Sequence, residues 1–344
     1  MTTSVAEIPT YTEIARAAGV STKTVCNVVG NPSIVRPRTM ERVLETLRGM
    51  GITDVEVLKV RQRPVRADSQ KAILFLVDGL PSGAMASPVY ARIVIAAEKQ
   101  SHKKGWQFVL RHRSAGDSLE DTLLNFRGQG VVLFGRTTSV TDVEAVIPGI
   151  RCVRLLGTSA DEEACDQVDY DRMEVCRIAA RNLMDRGCRT VGFIGDQSNS
   201  RGADFLRSAE GLGLRVVDGS VPDLFESDGA NQIVNRTALE KSWRLVSAGG
   251  IDGLFVYSDQ VANAIHPLLA RQGIRPDVDL KLVSCNAEEL FLSPLHPRPA
   301  TIDIHSKELG ARAVETLLWR IQNPASAPMV VMIRPKAVPG EVLA

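Results

Sequence analysis

The sequence predicts an α/β protein in two parts. An N-terminal all-α helix-turn-helix headpiece precedes an α/β two-lobed core of two doubly wound parallel sheets. Three observations predict this. The first fifty residues hold three short helical patterns punctuated by Gly, Ser and Pro. From residue 72 onward, short apolar runs alternate with helical stretches, which is the pattern of βα units and parallel sheets. Charge is uneven: residues 1–71 carry eleven Lys and Arg against seven Asp and Glu (+4), and the other 273 carry 30 against 33 (−3), beneath a net charge of only +1. A length of 344 residues allows two or three domains at ~150 residues each.

In the head, Thr12 to Ala18 is expected as a helix with Ile14, Ala15 and Ala18 on one side. Gly19 ends it, since glycine accepts positive φ, and Val20 plugs the turn. Ser21 suits the N-cap of a second helix, Thr22 to Val29, whose Val25, Val28 and Val29 face inward. A third helix runs from Pro37 to Met50, with Pro in its first turn and Met40, Val43, Leu44 and Leu47 at helical spacing. Two short helices across a tight Gly turn form a helix-turn-helix.

The string Ala15-Arg16-Ala17-Ala18-Gly19-Val20-Ser21-Thr22-Lys23-Thr24-Val25 resembles the headpiece of the lactose/galactose repressor (LacI/GalR) family. That resemblance implies a second helix lying in the DNA major groove, with Thr22, Lys23 and Asn27 at the base-reading positions. The family pattern has Ser-Arg where this chain has Cys26-Asn27. Asn pairs bidentately with adenine and Arg with guanine, so the operator preference is expected to shift. Ser21, Arg36, Arg38 and Arg42 are assigned to the DNA backbone, where contacts supply affinity and salt dependence rather than sequence reading.

Residues 52–70 are expected to link head and core. In the family this stretch forms a hinge helix that wedges leucines into the minor groove. Here the wedge position falls at Arg61, with Leu58 one turn earlier, so kinking of DNA stays open; Arg reads minor-groove shape without wedging.

In the core, strands are expected at Ala72–Val77, Gln107–Leu110, Val131–Phe134, Cys152–Leu156, Thr190–Ile194, Leu214–Val217, Gly253–Tyr257 and Lys281–Cys285. Helices include Pro88–Lys104 and Arg172–Arg186. So many strands favour two lobes over one sheet, although no sequence repeat is visible. The resemblance extends here through Gly187-Cys188-Arg189-Thr190-Val191-Gly192-Phe193-Ile194-Gly195, Asp252 to Val256 with Ser258-Asp259-Gln260, and Ala300-Thr301-Ile302 with Glu308-Leu309-Gly310. It implies a periplasmic-binding-protein-like core whose chain crosses between lobes near Tyr170, Thr301 and Ala325. Lobe 1 would then be about 71–170 and 301–325, and lobe 2 about 171–300 and 326–344.

A small-molecule effector, a sugar or another metabolite, is expected between the lobes, at the carboxyl ends of the strands. By resemblance Arg201 is the effector clamp, able to grip a hydroxyl pair, carboxylate or phosphate. Tyr90, Phe134, Ser258, Asp259, Asn286 and Ile304 complete the expected set. Ser258 and Asn286 stand where the family has Asn and Asp. Buried carboxylates suit sugar hydroxyls, so the pocket is expected to be less acidic and more apolar than a sugar site.

Several function classes find no support. The six cysteines form no CxxC, and reduced cytoplasmic thiols are expected. There is no HExxH, GxxxxGK[ST] or GxSxG, so no catalytic site, metal or cofactor is expected. No apolar run approaches ~18 residues, and Met1–Thr10 lacks the features of an export signal. The reading is a cytoplasmic, homodimeric transcriptional regulator, a repressor, because one head reads only half of a pseudo-palindromic operator. The absence of trailing leucine heptads leaves a tail-assembled tetramer unsupported. A regulator without effector control, a solute-binding protein and an enzyme with an accessory head are the alternatives.

Overall fold

A computed structural model of the chain describes residues 11–30, 34–52, 70–80, 87–114, 116–135, 138–157, 165–198, 200–227 and 232–341. The head comprises α1 (Tyr11–Ala18), α2 (Thr22–Gly30) and α3 (Pro37–Gly49). Gly19 sits at φ +60°. The Val20 N–H reaches the Ala15 carbonyl at 3.0 Å and the Gly19 N–H reaches that of Arg16 at 3.4 Å. That is the Schellman closure, which satisfies carbonyls the helix end leaves free. Ile14, Val25, Val43 and Leu47 are fully buried or nearly so, and the expected apolar faces meet, joined by Ile52.

In the core the strands run β1 (Ala72–Asp78), β2 (Gln107–Arg113), β3 (Gly130–Gly135), β4 (Arg151–Leu155), β5 (Asp166–Tyr170), β6 (Thr190–Ile194) and β7 (Arg215–Asp218). They continue as β8 (Phe225–Ser227), β9 (Gln232–Val234), β10 (Gly253–Val256), β11 (Lys281–Cys285), β12 (Ala300–Asp303), β13 (Val330–Ile333) and β14 (Lys336–Val338). The helices that matter for the site are α4 (Pro88–Lys103), α7 (Arg172–Asp185), α8 (Arg201–Glu210), α10 (Asp259–Arg271), the short α11 (Glu289–Leu292) and α12 (Ser306–Gln322).

Two six-stranded sheets result, ordered β13-β5-β4-β3-β1-β2 and β14-β12-β11-β10-β6-β7. Read from the first strand of each lobe, the two orders are the same. Two lobes with one topology explain the strand count without any visible repeat. Every residue of β1 is buried, as expected for a parallel strand covered on both faces. Within these two sheets all pairings are parallel except β12 with β14, which is antiparallel, so the second sheet departs from the all-parallel expectation at one edge. The hairpin of β8 and β9 was not among the expected strands.

The chain passes from β5 of the first sheet into α7, which leads to β6 of the second, at Tyr170–Arg172. The second crossing follows Asp303: β12 stays in the second sheet, whereas α12 packs on α4 of the first lobe. The third corrects the expectation most. Ala325 is not a crossing, because β13 still pairs with β5 and the chain leaves the first lobe only at 334–335. The cause is local. The Asp166 carboxylate takes Arg320 at 2.6 Å and the Met329 N–H at 2.9 Å, which returns the chain to the edge of β5 after α12 ends. Cys152, Cys165, Cys176, Cys188 and Cys285 are free thiols. No helix among the described residues is long and apolar enough to cross a membrane.

Candidate functional site

The second helix of the head is held by its cap. Ser21 Oγ accepts the Thr24 N–H at 3.1 Å and lies 2.8 Å from Thr24 Oγ1. This closes the first turn and leaves Thr22 exposed and Asn27 half-exposed on the helix. The side chain of Lys23 is outside what is described. Arg36, Arg38 and Arg42 are exposed at the start of α3 and along it. Leu58 and Arg61 fall outside the described residues.

In the core, a cavity of about 160 Å³ lies between the lobes. It sits where strand carboxyl ends from both sheets converge, the crevice that open α/β sheets use for ligands. Lobe 1 contributes Phe134 at the end of β3, Tyr170 at the end of β5 and Tyr90 from α4. Lobe 2 contributes Arg201 at the start of α8, Tyr257 after β10, Asn286 after β11 and Ile304 after β12. Six of the seven expected effector residues line it: Arg201, Tyr90, Phe134, Ser258, Asn286 and Ile304.

Asp259 is the exception. It is fully buried beside Ser258, and its carboxylate is taken by the Ser284 hydroxyl, the Thr301 hydroxyl at 2.7 Å and the Glu288 N–H at 2.6 Å. Burial pushes its carboxyl up to about 7, although these three donors pull the other way. Asp259 therefore ties α10 to β11 and β12 instead of facing a ligand. The neighbouring Ser258 caps α10, accepting the Val261 N–H at 3.4 Å, and presents its remaining surface to the cavity.

Arg201 is buried and spans the lobes. Its guanidinium donates to the Tyr170 hydroxyl at 2.7 Å and to the Tyr257 carbonyl, and it lies 4.5 Å from the Tyr257 ring centroid. Burial pushes the Tyr170 hydroxyl above its ordinary value, against the pull of Arg201 and Arg172. Tyr170 thus keeps a proton to donate while it accepts from Arg201. Arg172 pairs with Asp169 at 2.9 Å and lies over the Tyr170 ring. Aromatic pairs stand on both sides: Tyr90 with Phe134 from lobe 1, centroids 5.1 Å apart, and Phe225 with Tyr257 from lobe 2, 5.6 Å apart.

The lining is more polar than the sequence suggested, since Arg172, Gln232, Gln260 and Glu288 reach it as well. The acid expected to be lost at Asn286 returns at Glu288, two residues later. Tyr170, named from sequence only as a crossing between lobes, and Tyr257 and Glu288 were not singled out as cleft residues. Their positions at strand ends were the available signal.

A helix-turn-helix head followed by a two-lobed core with a cleft is the architecture of a ligand-responsive transcriptional regulator. Residues 10–51 match the family described as bacterial regulatory proteins, lacI family, and residues 180–341 match the periplasmic binding protein-like domain. The head is thus a lacI-family helix-turn-helix domain and the core a periplasmic-binding-protein-like domain. Among curated relatives, the HTH-type transcriptional repressor PurR of Pasteurella multocida (strain Pm70) is 22% identical, covering 96% of this chain and 97% of its own length. The ribose operon repressor of Haemophilus influenzae is 25% identical, covering 96% and 97%. Among solved structures, a complex of the regulator CelR with cellobiose aligns at a TM-score of 0.66 and 21% identity, over 97% of this chain and 99% of that one. A lac repressor dimer bound to operator and the anti-inducer ONPF aligns at 0.63 and 18%, over 97% and 98%. These two structures share the fold.

Proposed function

We propose that this protein is a sequence-specific DNA-binding transcriptional repressor, acting in the cytoplasm as a homodimer on a pseudo-palindromic operator. A small polar molecule held between the lobes sets its operator affinity. The observation that carries this reading is the Arg201 guanidinium in the cleft wall, bonded to Tyr170 of the opposite lobe. A ligand that competes with or reinforces that bond interacts differently with open and closed lobes, and only such a differential shifts a conformational equilibrium. In a dimer, lobe closure changes the spacing of the two heads and hence the fit to two half-sites.

Thr22, Lys23 and Asn27 read bases in this proposal, while Ser21, Arg36, Arg38 and Arg42 hold phosphates. Leu58 and Arg61 belong to the hinge. The cavity is well below the ~300–1,000 Å³ of sites for drug-sized molecules, which favours a single-ring or compact bicyclic effector. Footprinting on the protein's own promoter tests the DNA half: Asn27→Ala should weaken binding by about 1–3 kcal/mol and relax base preference at one position per half-site. An unchanged footprint and affinity would refute the recognition-helix assignment.

A second reading, a regulator closed without any effector, is favoured by the inter-lobe bonds already made by Arg201 and by Arg92, whose guanidinium reaches the Ala287 carbonyl at 2.9 Å. Operator affinity that no cleft-binding compound alters would favour it.

A further inference from the structure

The turn after β11 is strained and tightly anchored. Asn286 and Ala287 stand at φ +105° and +52°, successive non-glycine residues in the left-handed half of the map. Such positions are strained and persist only where their surroundings over-determine them. Here four bonds do so. The Asn286 N–H reaches the Ile302 carbonyl at 2.8 Å, the Ala287 N–H reaches Thr301 Oγ1 at 3.4 Å, and the Glu288 N–H reaches Asp259 at 2.6 Å. From the opposite lobe, Arg92 holds the Ala287 carbonyl at 2.9 Å.

The strained turn delivers the Glu288 side chain to the cavity wall. Glu288 is 2% exposed. Its Oε2 accepts from Asn286 Nδ2 at 3.2 Å, whereas Oε1 is buried without a hydrogen-bond partner. The carboxyl does not cap the helix it precedes, α11, and takes part in none of the ion pairs among the described residues. A buried carboxyl oxygen left without a partner forfeits its hydration with nothing in return, so the position needs a reason beyond local structure.

We infer that Glu288 is a specificity-determining residue of the cleft, and that its Oε1 accepts a hydrogen bond from an N–H or O–H of the effector. This rests on the reading of the cleft as an effector site. Arg172 and Arg201 line the same cavity, so the donor belongs to a neutral or anionic molecule rather than to a cation. Burial pushes the Glu288 carboxyl up; the Asn286 side chain, the Arg92 charge and the neighbouring Val89 backbone N–H of the opposite lobe, which does not reach hydrogen-bond geometry with Oε1, pull the other way. A neutral donor is therefore matched with an acid that is itself reluctant to ionise.

The test uses the full chain as wild type, Glu288→Gln and Glu288→Leu. Without additive, both variants should melt at or above the wild-type temperature, because a residue kept for a ligand is commonly paid for in stability. A clear fall in both melting temperatures would mean a structural role and overturn the inference. D-ribose, D-glucose, adenine and uracil are then titrated at millimolar concentration, each beside an analogue with its N–H or O–H donors methylated. A compound that stabilises wild type should lose about tenfold or more in affinity in Glu288→Leu and on methylation of the matching donor. Affinity lost in Arg201→Ala but kept in Glu288→Leu overturns the inference and leaves the cleft reading intact. Glu288-dependent binding that leaves operator affinity unchanged supports the inference and sinks effector control instead.

Discussion

In the proposed reading Arg201 serves closure and recognition together. It bonds an oxygen from each lobe, Tyr170 hydroxyl and Tyr257 carbonyl, and still forms part of the cavity wall. Arg201→Ala is expected to abolish the effector-dependent change in operator affinity while sparing operator binding itself. Charge-assisted hydrogen bonds contribute ~1.5–3 kcal/mol each, so effector affinity should fall at least tenfold; isothermal titration and gel shifts on the same preparation check both halves. Asp259 gives a pH prediction with a definite sign. Its folded carboxyl titrates at about 7, against a reference value of 3.8. Between those values the folded state holds a proton that the unfolded chain has released, so stability declines as pH rises through this window and levels off above it. Urea unfolding from pH 4 to 8 should show this decline in wild type and a flatter profile in Asp259→Asn; parallel profiles would refute it. At this scale the sequence pattern located six cleft residues but misplaced Asp259. An N-cap and the residue after it point in different directions, and here Ser258 meets the cavity while Asp259 turns back under β11 and β12.

The elements divide by how locally they are determined. The head's helices and caps were legible because Gly19, Ser21 and Pro37 carry their own backbone chemistry, and the long core strands because burial on both faces leaves continuous apolar runs. The hairpin of β8 and β9 was not, since each strand has three residues, too few to show a period. Yet that hairpin brings Phe225 and Gln232 to the cleft. The edge strands β13 and β14 were missed for a related reason: they are short, and for β13 side chains elsewhere, Asp166 and Arg320, decide the placement. Between elements, the tightest constraint falls on α12 against α4. A Cβ on Gly310 would lie 2.1 Å from the Ile93 carbonyl oxygen and 3.1 Å from the Ala97 nitrogen. Both are backbone atoms, so the helices must separate to admit it. Gly310→Ala should destabilise the core by about 1–3 kcal/mol, as overpacking does, despite the better helix propensity of Ala. Thermal unfolding measures this, and a neutral or stabilising effect would show that the two helices can part at little cost.

For the whole molecule, what matters is that both lobes have the same strand order and that their strand ends face one cavity. Three chain crossings join them, at 170–172, after Asp303 and at 334–335. Bonds at the cleft, from Arg201 to Tyr170 and from Arg92 to Ala287, lie across the same gap. In the proposed reading, a molecule bound there acts on the relative position of the two sheets, and an open and a closed arrangement supply the two-state element that coupling between distant sites requires. If the head and cleft report on one closure equilibrium, their coupling is reciprocal: the factor by which an effector changes operator affinity equals the factor by which operator changes effector affinity. For a coupling of ~1–3 kcal/mol this factor is about 5–150. Titrating a cleft-binding compound with and without a saturating operator duplex, and the duplex with and without the compound, gives both factors independently. Equal factors of the same direction are expected, and Tyr170→Phe, which removes the hydroxyl that Arg201 holds, should reduce both together. Compound affinity that ignores the duplex would show that lobe closure and DNA binding are separate events in this chain.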